Sequence, residues 1–282
     1  KKEPEILVLA FLKSGLAIAG GIMTLIPLYA ARIYSAPEMI SMAIGIIYSG
    51  RGIGAALGPP LVKRFFGDSS QVLRLAIAGA SRKTALAVTV THSVHGLDVA
   101  VAHGKPLDGP LELSLARATE QHGLARLAWD HEVIAMRNAP VQRFSSAEVT
   151  PPPGAFLQAT EDGEQALTQA VSEITSGAKR VVDLFAGSGT FSLPLAQGAE
   201  VHAVEGEADM TRALDQGWRK STGLKQVTTE ARDLFRRPLM PDELRPFDAV
   251  VLDPPRAGAD AQVAELAQAR RPNIAYVSCN PV

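Results

Sequence analysis

The pattern of apolar and polar positions changes character along the chain. Residues 6–31 are apolar apart from one charge, Lys13, and residues 39–62 form a second apolar stretch that only Arg51 interrupts. About 20 apolar residues suffice for a helix to cross a bilayer, and soluble helices usually keep a polar face. We therefore predict an apolar helical segment over residues 1–80 that is embedded in a membrane.

This first segment resembles a pair of helices from a major facilitator superfamily transporter. The residues that carry the resemblance are the glycines and Pro27 within 20–29 and the sequence RGIGAALGP at 51–59. A third apolar run, 72–80, looks like a span that stops after nine residues. Membrane association through residues 6–62 is the expectation, and two buried helices of a soluble protein are the alternative.

From residue 81 the pattern is typical of a folded domain that mixes strands and one helix. Strands are expected where β-branched residues alternate with polar ones, and a helix where Pro110 opens an amphipathic run that Gly123 closes. The sequence thus predicts a small α+β domain over 81–150. Its expected strands are 85–91, 97–101, 124–129 and 133–137, and its expected helix is 110–121.

After the rigid sequence PPPG at 151–154, strands and helices alternate. This alternation is typical of a parallel, doubly wound α/β sheet with a Rossmann-like order. We predict such a domain over 151–282. Its expected strands are 180–185, 200–204, 226–229, 247–252 and 274–278, and its expected helices are 163–176, 191–197, 208–222 and 261–270.

Composition narrows the function classes. Hydrophobic residues make up 46% of the chain and charged residues 20%, which excludes a disordered chain. The single cysteine excludes a disulfide framework and any zinc or iron–sulfur centre built from several cysteines of this sequence. A net charge of −1 gives no sign of a nucleic-acid partner, although basic residues dominate 1–80 and acidic residues 81–282.

The sequence DLFAGSGTF at 183–191 lies where a buried strand turns into a helix. Its glycines, Gly187 and Gly189, allow close approach of a ligand to the backbone. It is a poor dinucleotide fingerprint, because Ser192 stands at the third glycine position. A carboxylate at the strand end, Asp183, suits a positively charged ligand such as the amino-acid part of S-adenosylmethionine (SAM).

Two further carboxylates follow the next two strands. Glu205, 22 residues after Asp183, is placed to take ribose hydroxyls. Asp233 could accept a hydrogen bond from an adenine amino group. Alternatives stay open: the glycine-rich turn could be purely structural, and Glu205 or Asp233 could cap a helix. The ordered succession of the three carboxylates favours SAM.

Three more elements suggest a substrate site. Asp253, in the stiff DPPR sequence at 253–256, can accept from a base edge; the alternative is an ordinary loop. Amino-methyltransferases of nucleic acids have an aromatic residue where Arg256 stands. Cys279, in SCNP, ends a predicted strand at the same sheet edge and is either a nucleophile or an inert buried thiol. Gln158 could hydrogen-bond cofactor or base.

Together these motifs resemble the RNA uracil-5-methyltransferase family over residues 81–282. The resemblance rests on FLQ at 156–158, DLFAGSG at 183–189, LDPPRAG at 252–258 and VSCNP at 277–281. It implies SAM-dependent methylation of uridine C5 in tRNA or rRNA in the cytoplasm, and an RNA-contacting role for residues 81–150. A methyltransferase acting on an amino group, or a transporter fragment, are the alternatives.

The resemblance also implies residue roles. Cys279 would add to uracil C6 as the nucleophile, Asp253 and Gln158 would contact the uracil, and no metal is expected. The predicted cofactor-binding residues are Gln158, Asp183, Phe185, Gly187, Gly189, Glu205, Asp233 and Asp253.

The chain departs from that family in two respects. It ends at Val282, before the position of the family's proton-abstracting glutamate. The family's amino-terminal RNA-binding barrel, and the iron–sulfur cluster of some members, are replaced by the transporter-like segment. We therefore expect an incomplete methyltransferase domain joined near Ala80 to a transporter fragment in a fused reading frame.

Overall fold

The computed structural model describes residues 70–80, 85–269 and 273–278. The chain divides into two compact units, Lys1–Arg74 and Leu75–Val282. The second unit holds every element that bears on the predicted chemistry.

Most of the predicted membrane segment lies outside the described residues, including 6–31 and 39–62. Where the structure is described, no helix is long and apolar enough to cross a bilayer. The run 72–80 is predicted to be an interrupted span. In the structure most of it belongs to the nine-residue helix α1 (Ser70–Ala78), which ends two residues before the run does. The Gly79 carbonyl accepts from the Lys105 N–H at 2.9 Å, so the end of this run joins the second unit.

The small α+β domain has the predicted strand and helix order. The elements are β1 (Ala87–Ser93), β2 (Gly96–Ala102), α2 (Gly109–Gln121), β3 (Arg126–Trp129) and β4 (Glu132–Met136). The sheet runs in the order β1-β2-β3-β4, with β2 and β3 parallel and the outer pairs antiparallel. Asp108 caps α2 by accepting a hydrogen bond from the Leu111 N–H at 2.9 Å.

A hairpin that the sequence did not predict follows β4, still within residues 81–150. It consists of β5 (Gln142–Phe144) and β6 (Ala147–Val149), with Ser145 in the left-handed region at φ 57°. Strands of three residues are too short for a periodic pattern to reveal them. The hairpin packs so closely on a later helix that a Cβ at Gly217 would lie 2.6 Å from a methyl group of Val149.

The larger sheet confirms the predicted doubly wound α/β fold. Its five strands are β7 (Arg180–Leu184), β8 (Glu200–Glu205), β9 (Val227–Ala231), β10 (Ala249–Leu252) and β11 (Asn273–Tyr276). They are all parallel and lie in the order β11-β10-β7-β8-β9. The helices are α3 (Glu161–Ile174), α4 (Ser192–Leu195), α5 (Ala208–Lys220), α6 (Pro241–Leu244) and α7 (Asp260–Ala269).

Both faces of this sheet are buried, as a parallel sheet requires. Successive strand residues point to opposite faces: Val181 belongs to one apolar core with Leu214, and Val182 belongs to the other with Leu266. The predicted helix 191–197 is only the four-residue α4. The Gly198 N–H donates to the Leu195 carbonyl at 3.0 Å and closes its last turn. The short helix α6 was not predicted.

Candidate active site

The carboxyl ends of the five parallel strands meet at one edge, and the chain reverses direction across the sheet between β7 and β10. In open α/β sheets ligands bind at this reversal. Hydrogen bonds align the neighbouring strand ends: the Asp253 N–H donates to the Leu184 carbonyl at 3.3 Å, and the Val277 N–H donates to the Leu252 carbonyl at 2.9 Å. The loops after β7, β10 and β11 therefore start side by side.

Asp183 is completely buried near the end of β7. Its Oδ2 accepts a hydrogen bond from the Ser192 hydroxyl at 2.6 Å, whereas no described residue hydrogen-bonds its buried Oδ1. The pKa of Asp183 is raised to about 7, mainly by burial and also by the negative charges of Asp253 and Glu205, while the Ser192 hydrogen bond acts in the opposite direction. The carboxylate thus lies in a site with an excess of negative charge.

Glu205 ends β8 and fixes the glycine-rich loop. Its Oε2 accepts from the Gly187 N–H at 3.0 Å, and its Oε1 accepts from the Glu207 N–H at 3.1 Å. Gly187 has φ 57°, and a Cβ there would project into open space. Both Glu205 oxygens keep acceptor capacity beyond these bonds, which suits hydroxyl donors.

Phe185 is held in an unusual conformation directly after β7. Its φ of 62° is left-handed, where residues other than glycine carry strain, and such strain clusters at functional sites. Its ring makes an edge contact with Phe235, with centroids 5.4 Å apart. Gly189 has φ 103°, and a Cβ there would lie 2.9 Å from Leu214 and 3.0 Å from Leu193. This glycine is therefore needed for close packing of the loop against the two leucines.

The structure describes two of the three predicted substrate residues. Asp253 is half-buried directly after β10, and burial raises its pKa to about 6. Gln158 is half-buried, and the neighbouring Leu157 packs against the same core as Val277. Cys279 lies outside the described residues, two positions after Val277.

Asp233 accepts hydrogen bonds from backbone N–H groups, as a helix cap does, which is the alternative to an adenine contact that the sequence left open. Its Oδ1 accepts from the N–H groups of Phe235 and Arg236 at 3.0 and 3.3 Å. Its Oδ2 lies 3.6 Å from the Arg236 Nε. It stabilises the turn after β9, and an adenine contact stays a prediction.

Sequence reasoning missed a buried ion pair that holds the segment before Gln158. The Arg126 guanidinium binds both oxygens of Asp98, at 2.9 and 2.7 Å, and also donates to the Pro151 carbonyl at 2.9 Å. Next along the chain, the Ala155 N–H donates to the Pro152 carbonyl at 3.2 Å and closes a turn. The partners are 28 residues apart, so no local pattern could pair them.

The chemistry of this edge fits SAM. The negative charges of Glu205 and Asp253 raise the pKa of Asp183, and a ligand that carries a sulfonium and an ammonium group would oppose this effect. The Asp183 Oδ1 and the Ser188 hydroxyl are buried acceptors in the same loop region that receive no hydrogen bond from any residue the structure describes. Within the part of the chain that is described, no group of three or more His, Cys, Asp or Glu side chains could hold a metal ion.

Comparisons with known proteins agree with this chemistry. The family model described as tRNA (uracil-5-)-methyltransferase matches residues 220–282. An RNA methyltransferase of Mesorhizobium japonicum is 49% identical over 76% of this chain and 52% of its own length. The 23S rRNA (uracil(1939)-C(5))-methyltransferase of Shewanella amazonensis is 31% identical over 68% of this chain and 45% of its own length.

The fold is also that of a solved enzyme. The Pyrococcus abyssi tRNA (uracil-54, C5)-methyltransferase, in complex with S-adenosyl-L-homocysteine, superposes with a TM-score of 0.55 at 20% identity, covering 69% of this chain and 49% of that one. The chain spans about half the length of the curated relatives it matches.

Proposed function

The chain belongs to the RNA uracil-5-methyltransferase family, and we propose that it methylates C5 of uridine in tRNA or rRNA with SAM as methyl donor. The proposed setting is the cytoplasm, where the substrate RNA is found. The observation that carries the proposal is the meeting of Asp183, Glu205 and Asp253 at one sheet edge, at the reversal of strand order.

The cofactor half of the proposed site is formed by β7 and β8. Glu205 holds the Gly187 loop and offers acceptors to ribose hydroxyls. Asp183, oriented by Ser192, supplies negative charge for the amino-acid end of the ligand. SAM, when bound, supplies an electrophilic methyl group, because that group is attached to a sulfonium.

The substrate half is formed by β10 and β11. Uracil C5 is a weak nucleophile, so covalent activation is needed. We assign this to Cys279: its thiolate forms a bond to C6, and the C5–C6 π electrons shift toward C4–O4. Asp253 accepts a hydrogen bond from the uracil N3–H. C5 then takes the methyl group as its bond to the sulfonium breaks, which leaves a neutral thioether. A base removes the C5 proton, the C5–C6 double bond re-forms, and the thiolate leaves C6.

The position of Asp253 also bears on the amino-group alternative. An Asp-Pro-Pro turn could present an acceptor to an exocyclic amine as well as to N3–H. The similar enzyme of Shewanella amazonensis is named for methylation of uracil C5, and Arg256 replaces the aromatic residue expected of an amino-methyltransferase. These points favour uracil.

The test is the identity of the methylated nucleoside. The full chain is incubated with methyl-labelled SAM and unmodified transcripts of tRNA and 23S rRNA, and the digested RNA is analysed by mass spectrometry. Label in 5-methyluridine is the expected result. Label in an N-methylated adenosine or cytidine, or unlabelled RNA from a preparation that binds SAM, would contradict the proposal.

A further inference from the structure

We propose that residues 235–240, termed here the β9 loop, contact the substrate RNA through Phe235, Arg236 and Arg237. This inference rests on the proposed function, for which it supplies a binding surface. The loop directly follows the turn at Asp233, at the same sheet edge as the candidate active site.

The side chains of the loop have an unusual combination of exposure and chemistry. Phe235 and Met240 are each 49% exposed, and the side chain of Arg236 is 87% exposed. Single exposed apolar residues are ordinary. An exposed aromatic ring followed by two guanidinium groups is the set that binds single-stranded RNA, since the ring stacks on a base and the cations contact phosphates.

The backbone of the loop is clamped from one side by Arg232. Its guanidinium donates to the carbonyls of Arg237 and Pro238, both at 2.7 Å, and pairs with both oxygens of Glu243 at 2.6 and 2.9 Å. This pairing lowers the pKa of Glu243 to about 2. Both partners of this ion pair are therefore charged at neutral pH.

A second clamp acts from α7. The completely buried Gln262 accepts from the Leu239 N–H at 2.8 Å and donates to the Leu239 carbonyl at 3.1 Å. Exposure of the ring and the two arginines is thus imposed by a fixed backbone. A loop whose backbone is held in place before binding loses less freedom when a partner binds.

The loop reaches toward the catalytic loops. The Phe235 ring contacts Phe185, which follows β7 next to Asp183. Arg236 has one exposed ion-pair partner, Asp233, at 3.6 Å, and such a pair contributes little in water. A phosphate group can therefore compete for Arg236, next to the loop that follows β7.

The experiment measures RNA affinity of the full chain against salt concentration. The test variant is the double substitution Arg236→Gln and Arg237→Gln. The matched control is the double substitution Lys179→Gln and Arg180→Gln. It removes two adjacent exposed charges at the amino-terminal end of β7, away from the carboxyl ends of the strands. SAM affinity and the thermal midpoint are measured for each, so that misfolding or loss of the cofactor site is detected.

We expect the test variant to bind RNA about tenfold more weakly at physiological salt, with the slope of log K against log salt reduced by about 1 to 2. The control should retain the wild-type affinity and slope. Phe235→Leu should weaken RNA binding severalfold with an unchanged slope, whereas Phe235→Tyr should keep the wild-type affinity.

The proposal is overturned if the test variant matches the wild type in RNA affinity, if the control variant loses as much affinity as the test variant, or if the wild type binds no RNA. Because binding is read without methyl transfer, a chain that binds RNA but makes no 5-methyluridine contradicts the proposed function alone.

Discussion

The carboxylate of Glu205 accepts a hydrogen bond from the backbone N–H of Gly187 at 3.0 Å. The bond joins the end of β8 to the loop after β7, so one side chain sets the position of the loop that would approach SAM. Its other oxygen binds the Glu207 N–H. A residue expected to bind ribose thus also shapes the backbone of the site.

Substituting Glu205→Gln should therefore weaken SAM binding by about tenfold or more, since the amide removes the charge and leaves one acceptor oxygen for two N–H donors. Hydrogen bonds to charged groups contribute about 1.5–3 kcal/mol. Isothermal titration calorimetry checks the affinity, and hydrogen exchange at Gly187 checks the loop. The matched control is Glu200→Gln at the exposed start of the same strand, and equal losses in both variants would contradict the assignment.

Asp183 should make the stability of the second unit depend on pH. Its pKa is raised from 3.8 to about 7 in the folded state, so the native protein binds more protons than the unfolded chain between these values. Stability contributed by this group consequently falls as the pH rises from about 4 to 7 and is constant above. Urea unfolding followed by the fluorescence of Trp129 and Trp218 measures the trend.

The Asp183→Asn variant is the control for this dependence. The amide keeps an acceptor for Ser192 and has no charge to desolvate, so its unfolding free energy should fall less between pH 4.5 and 8. Identical slopes in the variant and the wild type would show that Asp183 is not the group responsible.

The buried pair of Arg126 and Asp98 should be costly to break from one side. Arg126→Met leaves the Asp98 carboxylate buried without its partner and removes the donor to Pro151. The expected loss is about 3–5 kcal/mol of unfolding free energy. Replacing both partners, Arg126→Met with Asp98→Leu, should recover most of it.

An exposed pair supplies the comparison. Arg143 and Glu148 bridge the hairpin at 3.1 Å with both side chains more than half exposed. Arg143→Gln should cost less than about 1 kcal/mol. If the single and double substitutions at the buried pair are equally destabilising, the account of an uncompensated buried charge is wrong.

Sequence patterns predicted the elements and residues that depend on local periodicity or on strand ends. Alternation of strands and helices predicted the parallel sheet, and Asp183, Glu205 and Asp253 could be found because each stands at or directly after the end of a buried strand. The carboxyl ends of such strands meet at one edge. Their grouping therefore follows from topology alone.

The rest depended on contacts that no local pattern encodes. Arg126 and Asp98 are 28 residues apart, and Gln262 binds Leu239 across 23 residues. Asp233 stood where an adenine contact was expected, yet its backbone contacts form a turn that orients the β9 loop. Whether such a residue binds a ligand or stabilises a turn depends on its partners in the tertiary structure.

The central claim is that Cys279 adds to uracil C6 during SAM-dependent methylation. The most direct measurement incubates the full chain with SAM and RNA that contains 5-fluorouridine, because fluorine at C5 cannot leave as a proton and the adduct stays trapped. We predict a protein–RNA adduct that survives denaturation, requires SAM and is absent in the Cys279→Ser variant. No adduct from protein that binds both SAM and RNA, or an adduct that persists in Cys279→Ser, would contradict the claim.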